Sequence, residues 1–269
     1  MDKIDLKVFT AFSGYDSQCM ALDRLAENFP FFNYELIGWA EIDKPAIASH
    51  NAVFPQYADR NYGDISKIDW TKVPDFDLFT YSSPCQDFSI CGTQHGGEEG
   101  IGTRSSLLWE CQRTIKEKRP KFLLLENVKA LYEDHIFNPL LMGWQRTVDS
   151  YGYKSWIKVL NAADYNVPQG RERVFMVSIR QDGSEPDFYW PVEMTPKRDI
   201  LDFCKKEVPE EYYLDDDKFP KFYDLLCNTG AWFDDTTKEN KEFVNKGERV
   251  IKKRRFVAEK KEDDKTVLF

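Results

Sequence analysis

No run of the 269 residues is apolar over the length of a membrane span; Asp2 and Lys3 open the chain and short strand-like segments follow. The six Cys lack the close pairing of a disulfide framework or a zinc knuckle, and the three His are scattered. These absences argue for a reducing, cytoplasmic setting with no metal site, no secretory leader and no membrane partner. Positive charge is not in surplus either. The net charge is -9, so a nucleic-acid partner has to be argued from local charge. No internal repeat or low-complexity tract is present. What remains, 42% hydrophobic and 31% charged residues, is the composition of an ordinary globular chain and excludes the disordered and fibrous classes.

The apolar periodicity predicts alternating strands and helices. LKVFTAFSG reads as a strand ending in a small-residue turn, and SQCMALDRLAENF as the helix after it. YELIGWAEID is a second strand, KPAIASHNAVF a short helix with Pro45 near its start, and DFDLFTYSSP a third strand. Then come SSLLWECQRTIKEK (helix), KFLLLENV (strand), NPLLMGWQRTVDSYG (helix), and the strands YKSWIKVL and RVFMVSIR, expected to pair as a hairpin. The runs FLLL and VFMV suggest strands covered on both faces, as in a doubly wound α/β sheet. From residue 186 the texture changes: prolines cluster, periodicity weakens and charge runs appear. Residues 1–185 are therefore expected to form one domain and 186–269 a second, partial one. Between Lys241 and Glu262 nine Lys or Arg face four Glu, a local positive excess that fits a nucleic-acid backbone or a solvated face equally.

Strand-end loops are where an open α/β sheet places ligands. Phe12, Ser13 and Gly14 end the first strand, Glu41 and Asp43 the second, and Gly63, Asp64 and Ile65 form a turn before the third. A carboxylate after the second strand suits a ribose diol, because it accepts two hydrogen bonds; a turn or cap role is the alternative for each residue singly. The first loop, FSGYDS, is not GxGxxG, so a ligand without a pyrophosphate fits better than a dinucleotide. Cys85 stands after the third strand, behind Pro84 and among Ser82, Ser83, Gln86 and Ser89, polar company for a thiol. Gly92, Gly96, Gly97, Gly100 and Gly102 then crowd eleven residues, the composition of a lid. Arg171 and Arg173 alternate on a strand and so share a face, either toward a ligand or ion-paired with Glu172 and a neighbour.

FSG at 12–14, PCQDFS at 84–89, GTRSSLLWE at 102–110, ENV at 126–128 and QGRERVF at 169–175, in this order, resemble the DNA (cytosine-5)-methyltransferase family. The resemblance is strong over residues 4–180 and weak beyond 186. It implies a mixed, Rossmann-like S-adenosylmethionine-dependent methyltransferase sheet with a partial second lobe. It also implies methyl transfer from S-adenosylmethionine to carbon 5 of a flipped-out cytosine in double-stranded DNA, with no metal. Cys85 would add to carbon 6 as a thiolate, since carbon 5 is too weak a nucleophile until the ring becomes an enamine. Glu126 would meet ring nitrogen 3 and the exocyclic amine, Arg173 the O2 side, and Arg171 the active-site loop or target phosphate. For the cofactor, the resemblance assigns Phe12 to the adenine, Ser13 and Gly14 to the methionine end, Glu41 to the ribose and Asp64 to the adenine amine. Ile42 and Ile65 would sandwich the ring, with Pro84 and Leu107 completing the pocket.

Two departures qualify the resemblance. TAFSGYDS lacks the leading acid and the two later glycines of the family's first motif, and no terminal Gln-x-x-Gly-Asn turn precedes Phe269. The second departure leads to the expectation of a complementary polypeptide, or of a shortened lobe. A non-catalytic DNA-binding subunit and an RNA cytosine methyltransferase are the alternatives. Specificity for DNA sequence is expected beyond residue 186, with Lys252, Lys253, Arg254 and Arg255 as phosphate or base contacts.

Overall fold

A computed structural model of the chain describes residues 3–83, 107–108, 110–183 and 185–194. Strands β1 (Ile4–Ala11), β2 (Phe32–Ala40), β3 (Leu78–Tyr81), β4 (Phe122–Val128), β5 (Tyr153–Asn161) and β6 (Glu172–Arg180) form one sheet in the order β2-β1-β3-β4-β6-β5. The first four run parallel, and β6 lies antiparallel between β4 and β5. The mixed sheet and the β5–β6 hairpin match the expectation from sequence.

Helices α1 (Ser17–Asn28), α2 (Lys44–Val53), α3 (Glu110–Lys118), α4 (Ala130–Glu133) and α5 (Asn138–Ser150) connect the strands. Asp43 caps α2 by accepting from Ala46 N at 3.1 Å, and Pro45 sits in its first turn, where no amide donor is needed. Successive residues of β1 point to opposite faces and seed two cores. Val8 joins Cys19, Leu22, Leu36, Trp39 and Phe54 under α1 and α2. Phe9 joins the larger cluster with Trp70, Phe79, Ile115, Leu141 and Trp144.

One expectation is corrected by burial along β4. Leu123 and Leu125 are fully buried in the larger core, but Phe122 and Leu124, on the opposite face, are only half-buried. The apolar run reads as doubly covered because leucine fills both faces, whereas α3 and α5 pack on one of them.

The register decides where the loops emerge. Ala11 pairs with Ala40 on one side and Tyr81 on the other, and Tyr81 pairs with Leu125. The residues that follow, Phe12, Glu41 and Ser82, therefore leave the carboxyl edge of the sheet side by side, with Glu126, still within β4, next to Ser82. The order reverses at β1, whose neighbours are β2 and β3, and such a switch point opens a crevice for ligand. A bulge in β2 shifts the pairing from Val8–Leu36 to Phe9–Gly38. Gly38 is required there, because a Cβ would lie 2.6 Å from the Tyr62 ring and 2.7 Å from that of Phe9.

Candidate active site

Phe12 takes φ 55, a conformation costly for an aromatic residue, and is held in it as its amide and that of Ser13 donate to Ala40 O at 2.8 and 3.3 Å. Ser13 is buried and bonded to Thr10, while Gly14, at φ 56, borders open space: a Cβ built there meets no atom within 4 Å. Gly14 N donates to Glu41 Oε2 at 3.0 Å, so the first two strand-end loops are brought together by a carboxylate. Glu41 Oε1 accepts from Ile42 N at 2.8 Å and Asp43 N at 2.9 Å. Two lone pairs on Oε1 are thus used, and one on Oε2 remains for a ligand hydroxyl.

The third loop is tied to the second by Asn61, a residue the sequence reading passed over. Its Oδ1 accepts from Glu41 N at 3.2 Å and Gly63 N at 2.8 Å, and its Nδ2 donates to Glu41 O at 3.1 Å. Only the paired register of Trp39 and Asn61 reveals this, since a lone Asn in a polar segment carries no signal. Asp64 caps the short 3-10 turn Ile65–Lys67, accepting at Oδ1 from Ser66 Oγ and N at 2.7 and 3.0 Å. The Ser66 hydroxyl is the largest influence on the Asp64 carboxyl; burial, the next, opposes it, and the Ser66 amide and Lys67 help to hold the carboxyl below the usual range. Ile42 is 67% exposed, whereas Ile65 is 3% exposed and packed in the larger core. Leu107 is half-buried beside the fully buried Leu108.

At the middle of the sheet the register sets Ser82 beside Glu126 and Ser83 beside Asn127. Ser82 Oγ donates to Glu126 Oε2 at 2.9 Å and lies 3.4 Å from Gln18 Nε2 of α1. Asn127 donates through Nδ2 to Ser83 O at 3.2 Å, pinning the backbone immediately before Pro84. Glu126 also receives Arg173 Nε at 3.2 Å on Oε1, a diagonal pair across the antiparallel strands β4 and β6. Arg173 is not paired with the side chain of Glu172, which instead meets Lys129 at 2.6 Å. Arg171 precedes β6 and is exposed. Pro84, Cys85, the glycines from Gly92 to Gly102 and Lys252–Arg255 lie outside the described residues.

The described edge thus presents, in order, an open glycine turn, a carboxylate with an acceptor to spare, and a carboxylate clamped between a hydroxyl and a guanidinium. The first two suit a nucleoside hydroxyl. The last offers an acceptor beside a forked donor, the complement of a ring edge carrying an amine and a carbonyl. Among the described residues no group of His, Cys, Asp or Glu could hold a metal ion, and no helix is long and apolar enough to cross a membrane.

Comparison with known proteins bears on the same region. The chain is 35% identical over 263 residues to the type II methyltransferase M2.ScrFI of Lactococcus lactis subsp. cremoris, covering 78% of this chain and 70% of that one. It is 34% identical over 241 residues to the orphan methyltransferase M.SPRI of Bacillus phage SPR, covering 79% of this chain and 53% of the relative. Against the orphan methyltransferase M.Rho11sI of Bacillus phage rho11s, identity is 38% over 205 residues and the alignment covers 76% of this chain but 39% of the relative. The chain therefore spans between about four-tenths and seven-tenths of these relatives' lengths. In fold it resembles Entamoeba histolytica methyltransferase EhMeth (TM-score 0.64, 17% identity, covering 87% of this chain and 68% of that one). It also resembles S. pombe Dnmt2 methyltransferase (TM-score 0.58, 18% identity, covering 81% and 65%). The family model for C-5 cytosine-specific DNA methylase matches residues 6–266, nearly the whole length, and the chain belongs to that family.

Proposed function

We propose that this chain transfers a methyl group from S-adenosylmethionine to carbon 5 of a cytosine flipped out of double-stranded DNA, through a covalent bond from Cys85. The observation that carries the reading is the Ser82–Glu126–Arg173 cluster, set by register at the end of β3 and directly before the Pro84-Cys85 dipeptide. S-adenosylmethionine supplies the electrophilic methyl group when bound. Its fit is supported by the open space above Gly14 and by the free acceptor of Glu41, which would take a ribose hydroxyl. Asp64 would take the adenine amine through Oδ2, which carries only a surface lysine. Phe12, Ile42, Pro84 and Leu107 would flank the ring. Ile65, buried behind the loop, would contribute through an edge of its side chain at most.

The Cys85 thiolate adds to carbon 6 of the pyrimidine, and electron density moves to carbon 5 and toward nitrogen 3. Arg173 would leave Glu126 for the cytosine O2, and Oε1 would pass a proton taken up from water to nitrogen 3 while the other oxygen keeps Ser82. Carbon 5 would take the methyl group as its bond to the sulfonium breaks, leaving the neutral thioether S-adenosylhomocysteine; the carbon 5 hydrogen would then pass to water as a proton, and the Cys85 thiolate would be expelled as the double bond reforms. Arg171, exposed beside β6, is available to the phosphate of the flipped nucleotide. The glycine-rich residues 92–102 would close over the base, and residues 186–269, with Lys252–Arg255, would carry target recognition.

An oligonucleotide bearing 5-fluorocytosine tests this, because fluorine cannot leave as the proton does. The expected result, in the presence of S-adenosylmethionine, is a denaturation-stable adduct that Cys85→Ala abolishes. An adduct that survives in Cys85→Ala removes the nucleophile assignment. The absence of methyl incorporation into DNA, alone and with a candidate complementary polypeptide, removes the enzymatic reading.

A further inference from the structure

Asp16 stands where the family's first motif has a glycine, and its backbone keeps a glycine's conformation, φ 65 and ψ 61. Asp tolerates that region because its short side chain bonds locally. Here Oδ1 accepts from Cys19 N at 3.2 Å, capping α1, and Oδ2 accepts from Thr10 Oγ1 at 2.7 Å. The side chain is 0% exposed. A carboxylate so buried is costly unless charge or donors surround it. Its remaining neighbour is His50 of α2, also 0% exposed, whose Nε2 lies 3.7 Å from Oδ2.

His50 has no other polar outlet. Its ring stacks on Trp39, centroids 3.7 Å apart at 17°, and leans on Phe54 at 5.4 Å, and neither ring nitrogen has a hydrogen-bond partner. The separation of 3.7 Å is too long for a hydrogen bond but within ion-pair reach. Asp16 is therefore the carboxylate within ion-pair reach of His50, and His50 adds to the bonds that Thr10 and Cys19 already give Asp16. The other ionisable groups on this side, Cys19, Asp23 and Tyr34, offer no cation; the Cys19 thiol is pushed up by burial first and then by Asp16.

The pair joins the loop after β1 to helix α2. The same loop and the start of the same helix are joined at the surface through Glu41, which takes Gly14 N on one oxygen and the amides of Ile42 and Asp43 on the other. We propose that Asp16 and His50 are a positioning pair that locks the loop at 12–16 onto α2 and so keeps Gly14 and Glu41 in register for the cofactor. The ligand in this inference rests on the functional reading above; the pair itself does not.

Two measurements on the full chain test it. The first is a urea-unfolding cycle of wild type, Asp16→Asn, His50→Ala and the double variant. Asn keeps the cap and the left-handed conformation but not the charge. Coupled losses are expected, the double variant being little worse than either single one, and additive losses overturn the pair. The second is S-adenosylmethionine titration of the same variants with His50→Gln added, at a temperature where all are folded. Asp16→Asn and His50→Ala should each raise Kd about tenfold through the fraction of competent loop lost. His50→Gln, whose amide can reach Oδ2, should recover most of that, and single-turnover methyl transfer at saturating cofactor should stay within about twofold. Coupled unfolding with unchanged Kd, or a rate loss in place of a Kd loss, overturns the positioning role. Wild-type chain that binds no S-adenosylmethionine overturns the functional reading, while the unfolding cycle still decides the pair.

Discussion

Replacing Glu41 by Gln isolates the carboxylate that ties two loops and is proposed to hold the ribose. The native side chain accepts three backbone N–H bonds, from Gly14 at 3.0 Å, Ile42 at 2.8 Å and Asp43 at 2.9 Å. A glutamine can keep its carbonyl oxygen toward Ile42 and Asp43, but its NH2 then faces the Gly14 amide, donor against donor. One bond is lost, and the two retained ones lose the assistance of charge. Bonds to a charged acceptor contribute about 1.5–3 kcal/mol when well shielded, and Glu41 is half-exposed, so a loss of about 1.5–2 kcal/mol is expected. For a domain of this size that is a fall in Tm of roughly 3–8 °C. The free lone pair on Oε2 disappears with the same change, so S-adenosylmethionine should bind about 10- to 100-fold more weakly. Differential scanning calorimetry and isothermal titration separate the two effects. A lower Tm with affinity unchanged within twofold would reduce Glu41 to a cap of the segment before α2 and refute its ligand role.

Ser82→Ala removes a donor to Glu126 without touching the cofactor loops, so single-turnover methylation should fall about two- to tenfold with Kd for S-adenosylmethionine unchanged; an equal loss in affinity would place Ser82 in the cofactor pocket instead. The Asp64 carboxyl is held low, chiefly by the Ser66 hydroxyl. Its stabilising contribution is therefore fully present above the ordinary aspartate value of about 4 and lost as pH falls through the lowered one. Melting curves of wild type and Asp64→Asn should differ by a constant amount at neutral pH and converge in acid, and parallel curves down to pH 2 would contradict that account.

The sequence alone determined the alternation of strands and helices, because burial of one face imposes a period that apolar residues must follow. The alternating strands of a doubly wound sheet, the β5–β6 hairpin and the candidate loops at 12–14, 41–43 and 63–65 were all legible in that way. So was the family, since five short motifs kept their order. What the sequence could not express was register. Ser82 meets Glu126 only because Tyr81 pairs with Leu125, and Asn61 bridges Glu41 and Gly63 only because its segment pairs with Trp39. Pairing is a property of two distant segments, and neither carries the information singly. The half-buried face of β4 was misjudged for a related reason, because a leucine run shows what a strand can bury and not what arrives to cover it. Asp16 and His50 illustrate the same limit most sharply. They are 34 positions apart in the numbering, unremarked as types, and become a pair only when α1 and α2 close over the same patch of β1 and β2 and exclude water from both.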